Sequence, residues 1–376
     1  MRNGARRGFF IQYYCGAVFC RFIYRLLLTE CGSAVCDPQK GLVNIMLKTG
    51  KVALIGGDLR SLVAAGHLRS IGMEARLYGF GEDSSRARTR RTLSDSAVDS
   101  LCCSSCAAAM NELSPYIERV LDSDMMSASL DDALKDCAAV ILPLPFSQNG
   151  TTVSMPFSDA VLRLDKLIDE MNAHGVHQLC GGKLSEDFCA ECRNAGIDVF
   201  DYYSREEFAI ANAIPTAEGA IAIAMNELAI TLDGAKALVI GYGRIGKVLS
   251  NRLAALNAET VVTARKPEDL AWIRAAGLRA EETGELRELL YGYHPDVIFN
   301  TVPHCVLGRD ELERIRKGEL IIDLASKPGG VDISAAGALG HKVIWALSLP
   351  GKVAPVTSGK IIANTILSYF KEQKED

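Results

Sequence analysis

The chain has 376 residues and a formal net charge of −5, with 48% of its residues hydrophobic and 23% charged. This composition excludes a largely disordered chain, and the length suits two globular domains better than one. The mild negative charge and the lack of a clustered basic stretch argue against a nucleic-acid partner.

The first 46 residues differ from the rest of the chain. They are rich in aromatic residues, cysteine and arginine but show little helical or strand periodicity. Their apolar run is interrupted by Arg21 and Arg25 and is too short to span a bilayer, so we predict no membrane anchor; a signal peptide is the alternative. Met46 precedes the first clear strand. We expect residues 1–46 to be disordered or not native, with Met46 as the true start.

From Lys51 onward, strand-like and helix-like segments alternate. Short apolar runs indicate buried strands, and apolar residues spaced three and four apart indicate helices. The predicted strands of this first part are 51–55, 75–78, 138–142, 176–180 and 197–200, and the predicted helices are 59–71 and 157–172. A stretch from 83 to 106, rich in Ser, Arg and Cys, is predicted to form a surface loop with a broken helix.

A nearly uncharged helix is predicted from Thr216 to Leu228, with Pro215 at its start. Because this helix is apolar nearly all round, we expect it to be buried between two domains. The strands predicted beyond it are 237–240, 260–264, 297–301 and 320–324, and the helices are 244–256, 269–276, 309–317 and 358–370. Such alternation predicts a parallel sheet with helices on both faces.

The predicted fold is therefore α/β, with two Rossmann-like parallel-sheet domains joined by a buried helix, and the C-terminal domain binds the dinucleotide. The predicted segments are the extension 1–46, an α/β domain 47–205, the interdomain helix 206–231, the cofactor domain 232–350, and a C-terminal helix 351–376 that packs back toward the first domain.

A dinucleotide-binding fingerprint lies in the second half of the chain. Gly241, Gly243 and Gly246 directly follow the strand pattern ALVI and open the next helix. In such a turn the first glycine allows a tight bend, the second lets the pyrophosphate approach, and the third allows close packing of helix on strand. The other residues predicted to contact the cofactor are Arg244, Ile245, Asn300, Thr301 and Val302.

The cofactor choice depends on the end of the second strand of this domain. An Asp or Glu there would bind the ribose of NAD, but this chain has Arg265 and Lys266. Two cations favour the 2′-phosphate of NADP, and the alternative is that both are solvated surface residues. The similar turn in the first domain has Asp58 in place of the second glycine, so we expect one dinucleotide per chain.

Polar loops follow several predicted strands, and in a parallel sheet such loops gather at one edge. The predicted substrate contacts are Arg60, Ser147, Asn149, Glu218, Ser326 and Lys352. Lys327 and His304 are the predicted catalytic residues, with ordinary turn residues as the alternative. No metal is predicted, because Cys189 and Cys192 form a C-x-x-C without a second pair.

Six motifs, in order along the chain, resemble the family of dipicolinate synthase A subunits. They are Pro215-Thr-Ala-Glu-Gly-Ala, Gly241-Tyr-Gly-Arg-Ile-Gly, Ala264-Arg-Lys, Ile298-Phe-Asn-Thr-Val-Pro, Ile322-Asp-Leu-Ala-Ser-Lys-Pro-Gly-Gly and Leu349-Pro-Gly-Lys-Val-Ala-Pro. In the first domain, Leu142-Pro-Leu-Pro-Phe-Ser with Asn149-Gly150 is also similar to that family. The resemblance covers residues 47–372 and leaves the extension out.

The resemblance implies a cytoplasmic protein that acts with a smaller, flavoprotein-like B subunit of dipicolinate synthase. Together they would oxidise a dihydrodipicolinate-type precursor, from the lysine pathway, to the dipicolinate of bacterial endospores. Aromatisation needs a hydride acceptor, which NADP supplies, and a proton acceptor. The two ring carboxylates need cations, for which Lys327, Lys352 and Arg60 are candidates. We also expect a homo-oligomer with no nucleic acid or membrane as partner.

Two alternatives stay open. A dehydrogenase of the hydroxyacid or alanine dehydrogenase type has the same two-domain layout, but the hydroxyacid enzymes place a catalytic His late in the cofactor domain. Residues 344–352 of this chain contain no His, which argues against that class. The second alternative is a non-catalytic, NADP-sensing protein whose partner performs the chemistry.

Overall fold

Two parallel sheets, each covered by helices, organise the protein. The computed structural model describes residues 50–80 and 123–373. The predicted extension 1–46 with its Met46 start, and the predicted loop 83–106, lie outside the described residues. The α/β class with two parallel-sheet domains is confirmed by these sheets.

The first domain is a five-stranded sheet in the order β2-β1-β3-β4-β5. Its strands are β1 Lys51–Ile55, β2 Glu74–Tyr78, β3 Ala139–Ile141, β4 Gln178–Gly181 and β5 Asp198–Asp201, and its helices are α1 Leu59–Ser70, α2 Leu130–Leu134, α3 Leu164–Ala173 and α4 Glu186–Asn194. Every residue of β1 and β3 is buried, because helices cover both faces of a parallel sheet. The strand order reverses between β1 and β3, which opens a crevice at their carboxyl ends.

One long helix, α5 Glu206–Glu227, follows the first sheet. It begins at the first residue of the predicted interdomain segment 206–231, ten residues before Thr216, where the helix itself was predicted to start, and Pro215 lies inside it. The proline removes one helical hydrogen bond without ending the helix, and the hydroxyl of Thr216 donates to the Asn212 carbonyl at 2.8 Å.

Only one face of α5 is buried. That face packs against two helices of the second domain. It is formed by small residues: Ala213, Ala217, Ala220 and Ala224. The opposite face keeps Ile210, Ile214 and Met225 at 39–61% exposure. Among the described helices α5 alone has the length and hydropathy of a membrane span, and half of that stretch is buried within the fold, as in a core helix.

The second domain is a six-stranded parallel sheet in the order β11-β10-β9-β6-β7-β8. Its strands are β6 Lys236–Ile240, β7 Glu259–Ala264, β8 Arg279–Glu282, β9 Val297–Asn300, β10 Leu320–Asp323 and β11 Lys342–Trp345. Its helices are α6 Arg244–Ala255, α7 Pro267–Ala275, α8 Leu286–Gly292, α9 Arg309–Leu312, α10 Ile333–Leu339 and α11 Leu349–Val353. This is the Rossmann strand order, with the switch point between β6 and β9.

The chain then returns to the first domain as α12 Pro355–Glu372, which packs along α1. A Cβ at Gly359 would lie 2.6 Å from the Arg60 carbonyl oxygen, so the two helix backbones touch at this glycine. Further along, the ring of Tyr369 stacks on Phe200 of β5 with centroids 3.8 Å apart. The last helix of the chain is therefore part of the core of the first domain.

Candidate active site

The glycine fingerprint forms the turn between β6 and α6. Gly241 has a φ of +99°, and a Cβ there would lie 2.5 Å from the Thr301 hydroxyl oxygen. A Cβ at Gly246 would lie 2.1 Å from the Gly241 carbonyl oxygen, so the helix packs directly on the turn. At Gly243 a Cβ would meet no atom within 4 Å. The turn thus leaves open space at the second glycine, where a pyrophosphate fits against the N-terminus of α6.

The loop after β9 closes the other side of this turn. Thr301 donates through both its backbone N–H and its hydroxyl to the Ile240 carbonyl, each at 2.9 Å. Asn300 is fully buried, and its amide spans the loop: Nδ2 donates to the Val302 carbonyl at 3.0 Å, and Oδ1 accepts from the Val302 N–H at 3.1 Å. These side chains therefore shape the floor of the cofactor site and are already hydrogen-bonded within the fold.

Three cations were predicted near the cofactor, and they differ in their partners. Arg244 is bound by Glu206 of α5, with Nη2 2.6 Å from Oε2. Lys266 lies 3.9 Å from Glu268. Arg265 is exposed at the end of β7 and pairs with no carboxylate in the described part of the chain. Arg265 is therefore the cation available to a 2′-phosphate.

A cavity of about 550 Å³ lies at the switch point of the first sheet. Its walls come from the turn after β1, the segment after β3 and the short helix α11 of the second domain. Its lining includes Asp58, Arg60, Thr152, Phe157, Ser348 and Lys352. It is open at the boundary between the domains, where α/β proteins bind small molecules.

Arg60 is held in the wall of this cavity by Asp58. Its Nε lies 3.0 Å from Asp58 Oδ1, its Nη2 lies 2.7 Å from Oδ2, and Nη2 also donates to the Leu144 carbonyl. Burial acts to lower the pKa of Arg60, but the ion pair with Asp58 outweighs it and raises the pKa. The guanidinium is thus charged and fixed, and no described residue accepts a hydrogen bond from its Nη1.

The second domain reaches Arg60 through α11. A Cβ at Gly351 would lie 3.1 Å from Arg60 Nε, so the two segments are in contact. Lys352 follows on the same helix, is exposed, lines the cavity and has no ion-pair partner among residues 50–80 and 123–373. Ser348 begins this segment with a φ of +60°, a conformation that few non-glycine residues adopt. One cation from each domain therefore faces the cavity.

Several predicted site residues lie elsewhere. Ser147 and Asn149 bond to each other and to the backbone of their own loop, with the hydroxyl 3.2 Å from Asn149 Oδ1. Glu218 projects from α5 and accepts from Arg252 of α6 at 3.3 Å. None of these three residues lines the cavity. Their roles as substrate contacts stay predictions.

His304, Ser326 and Lys327 are exposed on the loops that follow β9 and β10, beside the floor of the cofactor site. They do not line the cavity. Within the described chain, no group of three or more His, Cys, Asp or Glu is arranged to hold a metal ion, and Cys192 is buried in α4.

Sequence reasoning missed two features of the cavity. The sequence predicts that Asp58 prevents phosphate binding at this turn, but it does not predict the ion pair between Asp58 and Arg60. An Asp-x-Arg at the start of a helix was the available signal, because the Asp caps the helix through the Arg60 N–H at 2.9 Å. Ser348 gave no sequence signal, since its backbone conformation is visible only in the structure.

Comparison with known proteins gives a consistent picture. A sequence profile of the N-terminal domain of the dipicolinate synthase A subunit matches residues 121–203. The dipicolinate synthase A subunit of Bacillus subtilis (strain 168) is 35% identical over 237 residues, which make up 62% of this chain and 78% of that protein.

Two solved structures are similar over most of the chain. The crystal structure of the dipicolinate synthase A chain from Bacillus subtilis has a TM-score of 0.69 and 30% identity, covering 89% of this chain and 100% of that one. The dipicolinate synthase A subunit from Bacillus halodurans has a TM-score of 0.67 and 27% identity, covering 86% of this chain and 99% of that one.

Proposed function

We propose a function for this protein from one established premise: the chain belongs to the family of dipicolinate synthase A subunits. The resemblance drawn from the six sequence motifs is confirmed, and with it an oxidoreductase role in the general sense. The hydroxyacid or alanine dehydrogenase alternative is not favoured, because the solved structures with 30% and 27% identity to this chain are both of dipicolinate synthase.

The proposed reaction is the oxidation of a dihydrodipicolinate-type precursor to dipicolinate. The observation that supports it most is the cavity with one cation from each domain, Arg60 and Lys352, since the precursor carries two ring carboxylates. The ring of Phe157 forms part of the wall and offers an apolar surface to a planar ring. A volume of about 550 Å³ is sufficient for one small aromatic dicarboxylate.

The reaction removes a hydride and a proton from the ring carbons. When bound at the glycine turn, NADP⁺ would supply the hydride acceptor. The protein orients the ring by its carboxylates, so that the carbon that loses hydride faces the cofactor domain. For the proton we keep His304 and Lys327 as candidate acceptors, because both lie on loops at the carboxyl edge of the second sheet.

The cofactor choice gives a first prediction: Arg265→Ala weakens NADP binding about tenfold or more and leaves NAD binding nearly unchanged. A guanidinium on a phosphate contributes roughly 1.5–3 kcal/mol, and NAD has no phosphate at that position. Arg274→Ala is the matched control, because Arg274 is an exposed arginine on the adjoining helix α7. Titration of each variant with both cofactors measures the effect. Equal losses for NADP and NAD, or no loss, would contradict the assignment.

The substrate site gives a second prediction: Lys352→Ala lowers the kcat/KM of dipicolinate formation at least about tenfold, roughly 1.4 kcal/mol. Lys360→Ala is the control, because it removes the same charge from an exposed position on α12. Lys327→Ala is expected to have an equal effect and belongs in the same assay. NADP affinity is expected to stay near the wild-type value in all three variants. Wild-type kcat/KM in Lys352→Ala would place the substrate elsewhere.

The function itself is tested by reconstitution with the proposed partner, the B subunit of dipicolinate synthase. The chain is assayed alone and with that partner for NADP-dependent formation of dipicolinate, followed by its ultraviolet absorbance. Dipicolinate formed with NADPH in equal amount supports the proposal. Binding of NADP without turnover in either preparation would favour the NADP-sensing alternative. The homo-oligomer and the cytoplasmic location are proposed with the function and are checked by light scattering and by cell fractionation.

A further inference from the structure

A carboxylate is buried beneath the carboxyl edge of the second sheet. Asp323 ends β10 at 1% exposure, and in the sheet it is the register partner of Asn300, which ends β9. Its Oδ1 accepts from Asn300 Nδ2 at 2.7 Å and from the Ala325 N–H at 3.0 Å. Its Oδ2 accepts from the Gly330 N–H at 2.9 Å. The proposed reaction assigns no role to this group.

All three partners of Asp323 donate a hydrogen bond, which matches an ionised carboxylate because that form has only acceptors. No Lys, Arg or His among the described residues forms an ion pair with it. Three neutral N–H groups therefore hold the negative charge, and no described cation pairs with it. A buried charge of this kind acts over a longer distance than a solvated one.

The field of Asp323 reaches the loop after β9. Partial desolvation raises the pKa of the Cys305 thiol, and the carboxylates of Asp332, Glu311 and Asp323 raise it further. The same loop is tied to the loop after β10, since the backbone N–H groups of Val306 and Leu307 both donate to the Gly330 carbonyl. The two loops thus form one hydrogen-bonded rim, and Asp323 lies below it and binds the Gly330 N–H.

The position of this rim in the sheet indicates which half of a bound dinucleotide it would face. In a Rossmann domain the dinucleotide extends across the switch point, here between β6 and β9. Arg265 at the end of β7 marks the adenosine side. The ends of β9 and β10 lie on the opposite side, so the rim would face the nicotinamide half of a bound cofactor.

We propose that Asp323 makes the site prefer the oxidised over the reduced nicotinamide cofactor. The proposal rests on the proposed function for the presence of the cofactor. The oxidised ring carries a positive charge and the reduced ring is neutral, so a fixed negative charge below the ring binds the two forms unequally. The oxidised cofactor is then loaded preferentially, and the reduced product leaves more readily.

The test compares Asp323→Asn with the wild type. The dissociation constants of NADP⁺, NADPH and adenosine 2′,5′-bisphosphate are measured by calorimetry on the full chain. We expect the wild type to bind NADP⁺ about tenfold more tightly than NADPH, and the variant to bind the two nearly equally. Adenosine 2′,5′-bisphosphate lacks the nicotinamide, so its affinity is expected to be unchanged. Asp296→Asn is the matched control, because Asp296 precedes β9 at the opposite edge of the sheet.

Each result of this experiment either supports or overturns the proposal. A wild type that binds NADPH as tightly as NADP⁺ overturns the proposal, and so does an unchanged ratio in a variant that retains adenosine 2′,5′-bisphosphate binding. If the variant loses that binding because it does not fold, the wild-type ratio alone decides. A folded wild type that binds none of the three ligands overturns the proposed function as well, and this separates the two failures.

Discussion

Arg60→Ala is expected to lower the kcat/KM of dipicolinate formation by about a hundredfold or more. The arginine side chain is 13% exposed and forms a bidentate pair with Asp58, which is 38% exposed. Removing the arginine deletes a cation that would bind a ring carboxylate. It also leaves Asp58 unpaired in the cavity wall, where it repels an anionic substrate. Truncating one member of such a pair costs roughly 2–5 kcal/mol, and about 2.7 kcal/mol corresponds to a hundredfold.

Two further variants separate these two effects. The double variant Asp58→Asn with Arg60→Ala removes the repulsion and is expected to recover part of the lost kcat/KM. Arg60→Lys keeps the positive charge but loses the paired hydrogen bonds of the guanidinium. Its kcat/KM is therefore expected to lie between those of Arg60→Ala and the wild type. Thermal unfolding controls for stability, since Asp58 also caps α1. If Arg60→Ala has wild-type kcat/KM, the cavity is not the substrate site.

The second large effect is expected in the glycine turn, where two alanine substitutions have different outcomes. Gly243→Ala is expected to fold with near wild-type stability, because its Cβ meets no atom within 4 Å, and yet to lose NADP affinity. Gly246→Ala is expected to lose stability as well, because its Cβ would lie 2.1 Å from the Gly241 carbonyl oxygen. Overpacking of this kind costs roughly 1–3 kcal/mol or more.

Thermal unfolding without ligand and NADP titration measure the two properties separately. For Gly243→Ala we expect an affinity loss of at least about tenfold without a change in the melting temperature. Gly284→Ala is a control outside the turn, because a Cβ there also meets nothing within 4 Å. Wild-type NADP affinity in Gly243→Ala would show that the cofactor does not approach this turn.

The buried strands of both sheets were predictable from the sequence. Strands such as β1 and β10 are covered on both faces and therefore appear as nearly continuous apolar runs, with one charged residue at an end of each. The two edge strands of the second sheet do not follow this rule: β8 has the sequence RAEE, and β11 is only partly buried. Neither strand was predicted, because each receives its order from hydrogen bonds to one neighbour rather than from apolar burial.

Helix boundaries were less predictable. The predicted helix 157–172 begins at Leu164 instead, because residues 156–157 form a turn and Arg163 forms an isolated bridge with Thr152. The start of α5 was also misplaced, since Pro215 is typical of a helix start and is tolerated here in the interior. Both errors arise from tertiary contacts that override a local signal.

The part of the candidate site whose geometry is fixed by a sequence motif was predictable. The contacts between side chains from different elements were not. The cofactor turn follows from three glycines between a strand and a helix. By contrast, nothing in the sequence indicates that α11, which carries Lys352, contacts the start of α1, which carries Arg60. Glu218 is polar on an apolar helix, which suggested a site, but it pairs with Arg252 across the α5–α6 contact.

The path of α12 restricts how the two domains move against each other. The chain passes from the first domain to the second near Arg205, before α5, and it returns at Ala354, between α11 and α12. The Arg205 guanidinium lies 2.5 Å from Glu372 near the end of α12, so the first crossing is also tied to the returning helix. α11 packs on α5, and α12 packs on both α5 and α1, so the helices that carry Lys352 and Arg60 are connected through α12. In the proposed function, a substrate that bridges Lys352 and Arg60 would join the second domain to the first at one more point.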